Sequence, residues 1–87
     1  MNETISTKTL KELVQAGSIR SALLIGTKDG FVLRVRYGII ERTVEAVRGH
    51  VRVFAALDSA ASFLKRIGIY RFEVDAVDWI PPSRQTK

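Results

Sequence analysis

The sequence predicts a small α+β domain. It has an antiparallel sheet of four to five strands, a short N-terminal helix and one helix packed on the sheet, in the order α-β-β-β-β-α-β. Three observations predict it. Alternating apolar and polar runs recur through the middle of the chain, the period-2 signature of strands. Arg48 to Asp75 (RGHVRVFAALDSAASFLKRIGIYRFEVD) reads as strand, tight connection, amphipathic helix, glycine stop and strand. Every strand-to-strand connection before the second helix is of hairpin length, which makes those strands antiparallel.

Taken in order, residues 1–5 read as a frayed terminus. From Thr7 to Ala16 the sequence TKTLKELVQA places Leu10, Leu13 and Val14 on one helical face, with Ser6 or Thr7 as the cap and Gly17 as the stop. About ten residues make a marginal helix alone, so this one must dock. Lys8 and Lys11 fall on its wet side. Residues 19–37 form a hairpin, IRSALLIG and FVLRVRYG around TKDG, where Asp29-Gly30 signals a turn with positive φ. On the return strand Phe31, Leu33, Val35 and Tyr37 share one face and Val32, Arg34 and Arg36 the other.

After Gly38, Ile39 to Val47 reads as a strand rather than the helix that RTVEAV also permits, because strands and the Arg48-Gly49-His50 turn flank it. Val51 and Val53 continue as a strand. Asp58 is the expected cap of the second helix, with Leu57, Ala60, Ala61, Leu64 and Ile67 as its apolar stripe. Lys65 and Arg66 suit the C-terminal end of the helix dipole, and Gly68 ends the helix. Tyr70, Phe72, Val74 and Ala76 then alternate with Arg71, Glu73 and Asp75 as a last strand, with Tyr70 and Phe72 facing the core. Pro81-Pro82 cannot continue a sheet, and residues 83–87 are expected to be mobile.

The 87 residues suffice for one domain, 1–87, and one modest core. Apolar residues make up 46% and charged residues 26%, an ordinary globular balance. There is no cysteine, which excludes disulfides, thiolate metal sites and cysteine nucleophiles. The start MNETISTKTLKELVQ lacks the basic segment and apolar run of a signal peptide, and no apolar run approaches the ~20 residues that span a bilayer. The expectation is a cytoplasmic protein without a membrane partner.

Catalytic arrangements fail for want of parts. His50 is the only histidine, so no histidine cluster is available for a metal, and no cofactor is expected. No elbow-type glycine pattern marks Ser18, Ser21, Ser59 or Ser62 as a nucleophile. Gly26-Thr27-Lys28 lacks the glycine spacing of a phosphate loop and leads into a strand rather than a helix. Glu73 and Asp75 read as the outward residues of a strand. A non-enzymatic role is expected, with no catalytic or metal-binding residue.

Charge is the outlier. Fourteen Lys and Arg face nine Asp and Glu, giving +5 and a pI near 10.1, and nine of the fourteen are Arg. Between Arg20 and Ala56 stand seven basic residues against three acids. Arg34, Arg36, Arg42, Arg48 and Arg52 are the candidate phosphate contacts, forming a basic surface if they gather on one sheet face. The alternative is that they pair across strands with Glu41, Glu45, Glu73 and Asp75 and leave little field.

The string R-G-x-x-R-x-F-x-x-L-D-x-A-x-x-x-L-x-x-x-G-I-x-x-F-x-V-D, here Arg48 to Asp75, resembles small accessory proteins of bacterial plasmids and integrative elements. Among these are partition-associated proteins of the ParC type. The resemblance covers about a third of the chain, and the N-terminal helix adds nothing to it. It implies a mobile-element protein acting beside partition or conjugation machinery, not an enzyme, and it transfers no functional residue.

Two functions follow. One is a basic accessory protein, a homodimer, that binds nucleic acid through a sheet face in plasmid partition or maintenance. The other is an interaction module that binds a protein partner or itself without nucleic acid, with Val32, Ile39 and Trp79 as the candidate interface because one-faced patterning leaves them unplaced.

Overall fold

A computed structural model describes residues 4–81 as a sheet with two helices on its inner face. In chain order the elements are β1 (Thr4–Ile5), α1 (Thr7–Gln15), β2 (Ser21–Thr27), β3 (Gly30–Tyr37), β4 (Ile40–Val47), β5 (His50–Val51), β6 (Val53–Phe54), α2 (Leu57–Ile67) and β7 (Glu73–Asp75). The α+β class holds, with seven strands rather than four or five. Nor is the sheet wholly antiparallel. Its order is β1-β4-β3-β2-β7, and both end strands pair in parallel, β1 with β4 and β7 with β2. The last strand is therefore an edge strand, and residues 4–5 are paired rather than frayed. The tail 83–87 lies outside the described residues.

The centre is a meander. Alternation along β2 and β3 turns Ala22, Leu24, Phe31, Leu33 and Val35 inward, all buried, with Ser21 to Thr27 paired residue by residue against Arg36 to Gly30. Lys28 and Asp29 form the tip of this hairpin. The positive φ, +139°, falls on Gly30, the first residue of β3, and not on Asp29. A side chain at Gly30 would meet the carbonyl oxygen of Phe54, so glycine is needed for close approach as well as for conformation.

Between β4 and β6 the edge of β3 is divided. Arg34 to Tyr37 pair with Thr43 to Ile40, whereas Phe31 and Val32 pair with Phe54 and Val53. Beyond Thr43, β4 leaves β3 and takes β5 as its partner through a register irregularity between Glu45 and Val47. The single strand expected over Val51–Phe54 is thus broken at Arg52, whose amide donates to the Val44 carbonyl at 3.0 Å.

Both helices close the core. Ser6 caps α1, its side-chain oxygen accepting from the Thr9 amide at 3.1 Å. Leu10 is fully buried beside the inner-face strand residues, with Val14 packed against them. At α2 the sequence expectation fails in one detail. Ala56 occupies the cap position without a side-chain hydrogen bond, and Asp58 lies inside the first turn, where its charge still suits the dipole. Ala60, Phe63 and Leu64 are the buried residues of α2, Phe63 replacing the exposed Leu57 of the expected stripe. Gly68 ends the helix at φ +104°, its amide and that of Ile69 turning back to the Lys65 and Leu64 carbonyls.

Trp79 covers the far end of the core. Its ring lies 5.4 Å from that of Phe31, and its Cβ occupies the space a side chain at Gly26 would need. Replacing Gly26 by Ala should therefore lever Trp79 away, costing about 1–3 kcal/mol. Urea denaturation read on the indole, the only one in the chain, should show the lower midpoint together with red-shifted native emission.

Candidate nucleic-acid interface

The sheet has two faces, and strand parity sorts the arginines between them. On the outer face Arg34 stands between Leu23 and Thr43, and Arg36 between Ser21 and Glu41. Glu45 follows Glu41 and Thr43 on that face of β4, while Glu73 and Asp75 pair beside Leu23 and Ile25 on β7. Among the described residues, two arginines share this face with four carboxylates. The formal charge of the face is therefore negative, which does not suit a basic surface. Glu45 is also held structurally. Its carboxylate accepts from the Thr4 hydroxyl at 3.0 Å and the Gly49 amide at 3.3 Å, tying β1 to the β4–β5 turn.

The five candidate arginines do not converge. Arg42 pairs opposite buried Val35 and so belongs to the inner-face side, half-buried, with Nη1 donating to the Glu41 carbonyl at 2.9 Å. Arg48 is exposed in the β4–β5 turn. Arg52 is half-buried at the corner between β5 and β6, its guanidinium 5.0 Å from the Phe54 ring centroid and 4.8 Å from that of Phe63. Only Arg34 and Arg36 are neighbours.

Val32, Ile39 and Trp79 do not form one surface either. Val32 is half-buried on the outer face, beside Ile25 and Val53. Ile39 is 93% exposed at the β3–β4 turn, and Trp79 packs over the inner core.

The helical side holds a basic cleft in which one candidate arginine, Arg52, meets Lys11 and Arg66, which the sequence suggests only as solvated and helix-dipole charge. Thr7, Lys11 and Gln15, spaced four apart along α1, form one wall, and Phe63, Arg66 and Ile67 of α2 the other. Arg52 lies between them. The cleft measures about 530 Å³, and its described lining brings together Lys11, Arg52 and Arg66 with no carboxylate. Two phenyl rings hold the Arg52 guanidinium, which fixes its direction and leaves its fork of donors for an acceptor oxygen. The helical spacings of the two walls were visible in the sequence. Their meeting across the Arg52 corner was not, because it depends on long-range pairing.

A second cleft, of about 410 Å³, lies where α1 ends and α2 joins β7. Val14, Ile19 and Ile69 line it with Arg20, Tyr70 and Arg71. Tyr70, expected to face the core, is 72% exposed, because the segment after Gly68 is irregular and Ile69 takes the buried place. The Lys65 ammonium stands 5.9 Å from the Tyr70 ring centroid. Among the described residues no group of three His, Asp or Glu is placed to hold a metal ion, and no helix is long and apolar enough to cross a membrane.

The ParC-like family model matches residues 5–83, nearly the whole chain, including the N-terminal helix that carried none of the motif resemblance. Neither a curated protein nor a solved structure matches the chain.

Stacking makes Arg52 a stabilising residue as well as a charged one. Arg52→Ala should cost about 1–2 kcal/mol in urea denaturation, whereas Arg48→Ala in the exposed turn should stay within about 0.5 kcal/mol.

Proposed function

Because the chain belongs to the ParC-like family, we propose that it is a non-enzymatic plasmid accessory protein that grips nucleic-acid phosphates in the cleft between its two helices. The observation that carries this reading is the convergence of Lys11, Arg52 and Arg66 in a groove whose described lining has no carboxylate. Three cations so placed suit a run of phosphates better than one small anion. Arginine offers a planar donor fork to phosphate oxygens, and lysine a mobile point charge. Binding of this kind releases counterions and discriminates little between sequences. A bridging or holding role beside partition machinery asks for no more. The outer-face arginines are not part of the proposed contact, since four carboxylates share their face.

Fluorescence anisotropy of labelled duplex DNA, titrated at several salt concentrations, tests the proposal. Wild-type affinity should fall with a log–log salt slope of about −3, near −0.9 for each of three phosphates. Lys11→Glu with Arg66→Glu, both exposed positions, should weaken binding at least tenfold, while Arg34→Glu with Arg36→Glu should change it less than twofold. Equal affinity of the wild type and the cleft variant would sink the reading.

A second reading, an interaction module that binds a second copy of the chain, is favoured by the outer face, which neither helix covers and where Ile25, Val32 and Val53 lie side by side across β2, β3 and β6. Sedimentation velocity over a hundredfold concentration range should then show a dimer that Val32→Asp converts to monomer. A monomer at every concentration counts against it.

A further inference from the structure

We infer that the second cleft is a stacking site for an unpaired base of a nucleic-acid strand, which makes single-stranded rather than duplex nucleic acid the tighter ligand. The inference rests on the proposed phosphate grip and extends it to a site that the grip does not include.

The cleft is amphipathic in the sense a nucleotide requires. Val14, Ile19 and Ile69 give it apolar lining, and Arg20 and Arg71 supply cations, with no carboxylate among its described lining residues. Its volume, about 410 Å³, lies in the range of pockets that take small ligands. Tyr70 presents at this cleft an aromatic ring that is 72% exposed. A solvent-facing tyrosine beside cations is the combination on which unpaired bases stack, the ring meeting the base while the cations hold the flanking phosphates. Lys65, close to the Tyr70 ring, and Arg66 of the first cleft line a common groove on α2, which gives a strand a line of cations to follow from one cleft toward the other. A strand lying along that line would place successive phosphates on Arg66, Lys65 and Arg71 and one base on Tyr70. A duplex would satisfy the cations but keep its bases paired and out of reach.

The test compares labelled oligothymidylate with a duplex of equal length by fluorescence anisotropy at one salt concentration, using the intact chain. The wild type should bind the single strand more tightly. Tyr70→Ala should weaken single-strand binding roughly tenfold or more and leave duplex binding within twofold, while Tyr70→Phe, which keeps the ring, should restore the single-strand affinity. In NMR spectra the Tyr70 ring protons should move upfield on adding the oligonucleotide. Duplex binding without single-strand preference, or single-strand binding indifferent to Tyr70→Ala, would overturn the inference and leave the phosphate grip standing. Absence of binding to either probe would remove both.

Discussion

Arg52 stands where the edge of β3 is divided between two partners, and most of the functional geometry depends on that division. A strand offers one row of hydrogen-bonding groups on each side. Here β4 takes the row at Arg34 to Tyr37 and β6 takes it at Phe31 and Val32. For both to fit, β4 must leave β3 beyond Thr43, and the chain must change direction between β5 and β6. The residue at that corner is carried out of the regular ladder and over the Phe54 and Phe63 rings. A straight four-stranded meander would have kept position 52 within regular alternation, and the helix-side cleft would lack its central cation.

Parity explains why the arginines separate. Arg34, Arg36, Arg42 and Arg52 all carry even numbers, and even spacing within a strand does mean one face. Across the Gly38-Ile39 turn, however, Tyr37 pairs with Ile40, so each even position on β3 lies opposite an odd one on β4. The acids Glu41 and Glu45 therefore join Arg34 and Arg36, while Arg42 goes to the opposite side. That consequence of a two-residue hairpin is contained in the sequence once the turn is located.

Local signals were legible where local physics decides. The Ser6 cap, the α1 stripe, the β2–β3 hairpin, strand over helix at Ile40–Val47 and the Gly68 stop all follow from short-range chemistry. The departures come from elsewhere. Asp58 is a good capping residue, but α2 begins at Leu57 from an extended Ala56, and burial of Phe63 rather than Leu57 sets the helix rotation. Alternation points Tyr70 inward, but it has no force in an irregular segment. The two parallel end strands join residues some forty to fifty positions apart, and no local pattern encodes such pairings. The basic cleft belongs to the same class, since its walls come from helices at opposite ends of the chain.

The parallel pairings of the end strands also spread the cost of chain closure unevenly over the sheet. Thr4 meets Thr43 and Val74 meets Leu24, whereas the β2–β3–β4 meander joins neighbours through two-residue turns. Closing a short loop costs less chain entropy than closing a long one, so the end strands carry the larger closure cost and the meander the smaller. The helices that wall the basic cleft lie between those end strands and the meander. Each wall of the cleft is thus flanked in sequence by an end strand whose pairing closes a long loop.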